Sequence, residues 1–406
     1  MRSYSLFAII LLCLCILLID ALSFYWLQSI LVLLESASLV AIINLAFWIF
    51  SIGLITAILV LKIRIDSITL KRKQLLVSSL YGLTVSSFIP KIIFVIGISV
   101  LYFSNYILTE EDSLLLVPLF GLLSGFLPFF VIAYAVFKAV YRFKIHRLHI
   151  QFESLPDDLS KLRIVHISDL HLGSFNFRYQ ILERAVKLIN SLNPDFIFFT
   201  GDLVNNYAWE LNGWVPVFNQ LKSKMGKFAV LGNHDYGDYS SWDSEEDKKI
   251  NFETIKSFYR DIGFTLLCNE AALVKKNTAQ LALIGVENWG TPPFKRYGDL
   301  EKAMNEVTSI PFKILLSHDP SHWDEEVVRH TNIALTLSGH THGMQVGFQL
   351  MGNQWSPIKY KYKRWGGLYS VNNQHLYVNR GLGWLGFPGR LGMRPEITFL
   401  KLEKGL

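Results

Sequence analysis

Five apolar runs along this chain each end in side chains that can hold a metal or move a proton. I-V-H-I-S-D-L-H-L-G at Ile164–Gly173 offers Asp169 and His171, and F-F-T-G-D at Phe198–Asp202 offers Asp202. V-L-G-N-H-D at Val230–Asp235 offers Asn233 and His234, I-L-L-S-H-D at Ile314–Asp319 offers His318, and T-L-S-G-H-T-H at Thr336–His342 offers His340 and His342. One histidine at a strand end is an ordinary surface or core residue; five runs ending alike call for one explanation. Imidazole nitrogens with carboxylate and amide oxygens, and no thiolate, suit divalent Mn, Fe, Zn, Co or Ni. The set exceeds the three or four protein ligands of a mononuclear site, so two metals sharing a bridging carboxylate is the economical reading. The chemistry that fits is hydrolysis of a phosphoester or phosphoanhydride, because paired cations hold a phosphoryl group and lower the pKa of a water between them.

The elements that must deliver these groups are strands whose C-terminal ends meet, as ligand sites in open α/β sheets do. Strand-like runs are expected at 162–168, 195–200 and 227–232, alternating with helices near 178–192 and 207–223. The polar stretch 238–262 should hold a helix near its end. Strands then dominate at 264–267, 271–275, 281–287, 312–317, 332–338, 376–379 and 396–402, with a helix near 298–307. Asp169 and His171, two apart on a strand, should face one side, and His340 and His342 lie two apart on one extended segment, each able to reach a different metal. Alternation followed by a β-rich half predicts two mixed sheets packed face to face with outer helices.

The five blocks, in this order, resemble the calcineurin-like metallophosphoesterase superfamily over about Leu162–Lys404. H-I-S-D-L-H-L-G, S-G-H-T-H-G-M-Q and the closing R-P-E-I-T look most like its membrane-associated bacterial phosphodiesterase branch. The resemblance implies an αββα two-sheet sandwich and two divalent metal ions (Mn, Fe, Zn or similar) with a bridging hydroxide that attacks phosphorus. Carried over position by position, it implies that Asp169, His171 and His342 hold the first metal and Asn233, His318 and His340 the second, with Asp202 bridging. His234 would contact phosphate or protonate the leaving group, with Asp235 orienting its ring. His322 competes with His318 for the lone-histidine role; His318 is preferred because it ends an apolar run directly. His166 reads as structural. Asn205 and Arg380, with Asn206 and Arg394 behind them, are candidate substrate contacts.

The 406 residues predict two or three domains, and their hydrophobic excess (51%) lies before about residue 140. Apolar runs at 5–27, Leu39–Leu61, Leu75–Tyr102 and Leu114–Val140 are long enough to cross a bilayer. A signal peptide rivals the first, and a re-entrant third run would leave three spans; four is preferred. The expected domains are a four-helix transmembrane region at 1–140, a basic juxtamembrane connector at 141–160 and the catalytic domain at 161–406. Lys62, Arg64, Lys71, Arg72 and Lys73 follow the second span and Lys138, Arg142, Lys144 and Arg147 the fourth, whereas the charged residues of 28–38 and 103–113 are all acidic (Glu35; Glu110, Glu111 and Asp112). This bias puts both termini and the catalytic half in the cytoplasm.

Asp20 and Lys91 are the ionisable residues inside the spans; they could pair in the bundle, or each could mark a helix end, the reading preferred for Asp20. Three scattered cysteines make no disulfide framework. Net charge +6 is explained by topology and by an anionic membrane surface, so a nucleic-acid partner is not favoured. Residues 343–375 interleave Trp and Tyr with Lys, which suits a membrane interface or lipid headgroup; loop packing over the second sheet is the plain alternative. Leu382–Phe387 looks exposed and apolar beside it. A membrane tether makes a lipid-linked phosphoester attractive, as for the UDP-diacylglucosamine pyrophosphatases of lipid A synthesis in the same superfamily. The alternative is a membrane sensor or scaffold whose metal domain binds a phosphorylated ligand without turnover.

Overall fold

The computed structural model describes residues 5–104, 110–350 and 353–405. Part of the connection read between the third and fourth spans (105–109), the first four residues and Met351-Gly352 lie outside the described residues. Two compact units emerge: one holds the chain up to Lys138 together with Gly386–Gly389, the other Ala139–Leu385 and the residues from Arg390 onward.

In the first unit, α1 (Leu6–Leu31), α2 (Ala37–Arg64) and α3 (Leu70–Phe103) are each long and apolar enough to span a bilayer. Leu114–Tyr141 is the fourth such segment. It is a composite of α4 (Glu110–Gly121), a π-helical turn at Leu122–Phe126 and α5 (Leu127–Phe137). Pro118 and Pro128 withhold two backbone donors there, and neighbouring helices tolerate such breaks inside a membrane. The expectation that Asp20 marks a helix end gives way to pairing. Asp20 sits mid-helix in α1, fully buried, and accepts Lys91 Nζ of α3 at 2.6 Å. The ammonium also lies 4.7 Å from the Phe47 ring centre. Lys91→Met should destabilise this unit by the roughly 3–5 kcal/mol that an orphaned buried charge costs, and adding Asp20→Leu should recover most of it. Thermal unfolding of the full chain in detergent checks this; equal Tm for all three variants and the parent would refute it.

The second unit starts earlier than the sequence suggests. The stretch read as a basic connector supplies β1 (Lys144–Phe152), a full edge strand. Along its second half Leu148, Ile150 and Phe152 turn inward while Arg147, His149 and Gln151 are exposed, a one-sided pattern that the Lys, His and Arg content masks. The other elements are β2 (Arg163–Ile167), α6 (Tyr179–Ser191), β3 (Phe196–Thr200), α7 (Val215–Phe218), β4 (Gly226–Val230), α8 (Glu245–Asp261), β5 (Thr265–Leu266), β6 (Glu270–Lys276) and β7 (Ala279–Gly285). They continue with α9 (Leu300–Met304), β8 (Lys313–Leu316), β9 (Leu335–Ser338), β10 (Phe348–Leu350), β11 (Asn353–Trp355), β12 (Gly367–Val371), β13 (Gln374–Val378) and β14 (Glu396–Lys404). The helix expected over 207–223 is only a short 3₁₀ turn and α7, because Gly213 takes a positive φ between them and Pro216 follows.

Two six-stranded sheets result, ordered β1-β14-β2-β3-β4-β5 and β12-β13-β9-β8-β7-β6. Period-2 alternation distributes side chains between layers. Ile164, Phe196 and Phe198 meet Leu283, Ile314, Leu316 and Leu337 between the sheets. Val165, Ile197 and Phe199 turn outward onto Leu182 and Ile189 of α6 and Ile255 and Phe258 of α8. On the far sheet Leu315 and Ile284 turn onto Leu300 and Ala303 of α9 and onto Trp323. This is the αββα sandwich. β2, β3 and β4 run parallel in one sheet and β7, β8 and β9 in the other, so their C-terminal ends can meet along one edge of the sandwich.

His166 of β2 is fully buried with Nε2 2.9 Å from Thr200 Oγ1, and burial pulls its imidazole down to about 3. The unfolded chain therefore takes up this proton first, near pH 6.5. The stability His166 contributes is complete above that pH and is lost as pH falls toward 3. Between pH 6 and 4 the wild type should lose ~2–3 kcal/mol more than His166→Leu, read from denaturant midpoints of the second unit. Parallel pH profiles would rule this out.

Candidate metal centre

Each sequence block leaves its strand before presenting its ligands. Asp169 and His171 follow β2 with φ of 50° and 47°, Asp202 follows β3 at 60°, and His340 and His342 follow β9 at 73° and 52°. The expected extended D-x-H and H-x-H segments are thus left-handed turns. Such conformations cost non-glycine residues roughly 1–3 kcal/mol each and persist where surrounding structure enforces them. The glycines of the motifs make the turns possible. Gly201 needs its φ of 90°, and any Cβ on it would strike the Gly232 backbone. A Cβ on Gly339 would strike Ser168 and the Asp169 carboxylate.

Two groups of ligand atoms converge, each within 4.8 Å: Asp169, His171, Asp202 and His342, and Asp202, His318 and His340. His171 Nε2 lies 3.0 Å from His342 Nε2 and 3.5 Å from Asp202 Oδ2. His342 Nε2 lies 3.3 Å from Asp169 Oδ1. In the second group His318 Nε2 is 3.2 Å from Asp202 Oδ2, 3.1 Å from Asn233 Oδ1 and 3.2 Å from His340 Nδ1. Asp202 belongs to both groups. These residues are buried or nearly so, and the centre is knitted by His340 N–H donating to Asp169 and His318 Nδ1 donating to the Thr200 carbonyl at 2.6 Å. The latter bond leaves His318 Nε2 to face the centre.

The electrostatics express a demand for positive charge. Burial pulls His318 down, but Asp202 and Asp169 outweigh it and push its imidazole up to about 10. Burial also opposes ionisation of Asp202, yet His318 and His234 hold its carboxyl well below the ordinary range. Burial lowers His171 to about 3 and His340 to about 4, so both are neutral and present lone pairs. Imidazole nitrogens 3.0–3.2 Å apart, with the carboxylates beside them, form a donor set that fits a divalent cation, which would take the place of the proton on His318 Nε2.

His234 stands beside the ligands, half-buried. Its backbone N–H donates to Asp202 Oδ1 at 2.9 Å and its Nδ1 donates to the Asn205 carbonyl at 2.7 Å, which turns Nε2 away from that bond. The expected Asp235–His234 contact is therefore replaced by Asn205. The Asp235 carboxylate instead accepts the backbone N–H groups of Asp202, Leu203, Val204 and Gly232, holding the Asp202 loop. Asn205 acts through its main chain, its amide resting near Ser174. Arg380 is buried against Glu396 at 2.5 Å and also binds Gln354, so it is tied up as a structural cation rather than offered to substrate. Arg394 donates to the carbonyls of Arg142 and Phe143, and Asn206 accepts from Asn251. His322 lies elsewhere, with Nδ1 on Ser317, Nε2 on Glu326 and its ring stacked on Trp289.

Several residues of the site gave no sequence signal. Glu210 is fully buried and accepts the N–H groups of Gly173, Asn205, Asn206 and Tyr207, while burial pushes its carboxyl up to about 7. Four donors and no acceptor around it favour the carboxylate that organises this loop. Tyr239, Phe294 and Tyr362 rim the centre. Tyr362 comes from the aromatic stretch read as a membrane interface; it and Trp365 are instead buried with Met393, while Met344, Phe348, Leu350 and Tyr360 of that stretch are exposed. Leu382 and Trp384, expected to be exposed, are core.

Residues 162–344 match the family profile of calcineurin-like phosphoesterase. A Danio rerio transmembrane protein with metallophosphoesterase domain is 31% identical over 281 residues, covering 67% of this chain and 60% of its own length. The metallophosphoesterase YkuE of Bacillus subtilis is 30% identical over 257 residues, covering 61% of this chain and 82% of YkuE. The phosphodiesterase YaeI of Escherichia coli is 29% identical over 248 residues, 61% of this chain and 84% of YaeI.

Proposed function

We propose, since this chain belongs to the calcineurin-like phosphoesterase family, that it is a membrane-anchored phosphohydrolase using two divalent cations to cleave a phosphodiester or pyrophosphate bond. The observation that carries this reading is Asp202, whose carboxylate is common to both ligand groups. Asp169, His171 and His342 would hold one cation, and Asn233, His318 and His340 the other, with Asp202 between them. When bound, the cations supply charge to the phosphoryl oxygens and a nucleophilic hydroxide at neutral pH. The chain's own residues do the rest. Asp202 fixes the spacing of the two halves, and the Asn205 carbonyl locks His234 so that Nε2 can give a proton to the leaving oxygen. Asp235 and Glu210 clamp the backbone that carries Asp202 and Asn205.

The substrate we favour is lipid-linked, because four bilayer-length helices in the same chain would hold the centre near a membrane. Lys62, Arg64, Lys71, Arg72 and Lys73 support a cytoplasmic centre. The test is hydrolysis by the full chain in nanodiscs with Mn, against a simple diester, a monoester and a nucleotide-diphospho-lipid. Preference for the lipid supports the whole reading. Turnover of the simple diester alone keeps the chemistry and removes the lipid. No turnover with any metal tried points to a binding module.

A further inference from the structure

Two of the three groups assigned to the second cation, Asn233 and His340, are each held from behind by a phenol, while His318 is held by the Thr200 carbonyl. Asn233 Nδ2 donates to Tyr239 Oη at 2.9 Å, which turns Oδ1 of the same amide toward His318. His340 presents Nδ1 to the centre, 3.2 Å from His318 Nε2. Its ring proton therefore sits on Nε2, where Tyr362 Oη lies at 2.7 Å. An amide can coordinate through oxygen only in one of its two flips, and an imidazole through Nδ1 only in one of its two tautomers. Each tyrosine selects the competent state. The rings are themselves fixed. Tyr239 packs on His234 at 4.7 Å between centroids, Phe294 lies 6.3 Å from Tyr239 and 4.9 Å from His340, and Tyr362 lies 5.3 Å from His340. No equivalent phenol stands behind Asp169, His171 or His342 among the described hydrogen bonds; His342 is backed by Arg390, 3.4 Å from its Nδ1.

We infer that Tyr239 and Tyr362 are positioning residues that selectively preorganise the second cation site, leaving the first independent of them. This rests on the two-cation reading above. Partners behind metal ligands commonly set affinity by 10–100-fold, and the asymmetry between the two halves makes the effect one-sided.

The experiment uses Tyr239→Phe, Tyr362→Phe and the double variant in the full chain. Each keeps the ring and removes only the hydroxyl, so the packing around Phe294 survives. Mn binding is measured by titration with metal analysis, and electron paramagnetic resonance distinguishes a spin-coupled Mn pair from a lone Mn. The wild type should take two Mn and give the coupled signal. Each single variant should lose ~10–100-fold in the weaker step alone, and the double variant should hold one Mn with an uncoupled spectrum. Two Mn at wild-type affinity in all three variants overturns the inference, as does loss of both steps together. A wild type that binds a single Mn is a different result: it removes the two-cation reading itself.

Discussion

Asp202→Ala should abolish phosphoester hydrolysis and release most of the bound metal. The carboxylate is the one group shared by both ligand clusters, and Oδ1 also accepts the His234 backbone N–H. On the two-cation reading, removing it would separate the cations from each other, and it would loosen the turn that presents His234. The loss should exceed the ~10³-fold that a single electrostatic donor is worth. Asp202→Asn is the sharper test, because the shape survives while the bridging charge does not. Turnover and metal content together decide it; an alanine variant that keeps two metals and measurable turnover would refute the bridging role.

His234→Ala should separate the two properties. His234 is no member of either ligand cluster, and its Nδ1 is committed to the Asn205 carbonyl. Metal content should stay at the wild-type level while turnover falls ~10²–10⁴-fold, the range for a lost general acid. The loss should be smaller for substrates with a good leaving group, which needs no proton. If metal departs with His234, the division between holding cations and moving protons is wrong.

What the sequence made legible was the part governed by short-range pattern. Apolar runs breaking at Gly or Ser marked the ends of β2, β3, β4, β8 and β9, and their terminal residues do converge. The four bilayer-length segments were equally plain, because composition alone sets them. The rest depends on conformations that no local pattern encodes. Left-handed turns at Asp169, His171, Asp202, His340 and His342 bring ligands inward where strand alternation would have projected them. The Asp235 carboxylate looked like a partner for His234 because it is adjacent in sequence, yet it turns back onto the backbone of another loop. Arg380 looked available because its partner Glu396 is sixteen residues away. Tyr362 reaches His340 across a stretch whose composition suggested a lipid surface. β1 was hidden because an edge strand needs only one apolar face.

That edge strand carries a consequence for how the protein is made. β1 pairs only with β14, Lys144 opposite Glu396 through Phe152 opposite Lys404, so its partner leaves the ribosome about 250 residues after it. Closing a loop of that length costs about 5 kcal/mol beyond a constant, and contacts this distant form late. During synthesis β1 waits unpaired, and β2 presents the flank that β14 will cover. A ribosome stalled before Glu396 would expose both, the kind of open strand edge that recruits other chains. Its basic side chains, Lys144, Arg147 and their neighbours, would act meanwhile as gatekeepers against aggregation.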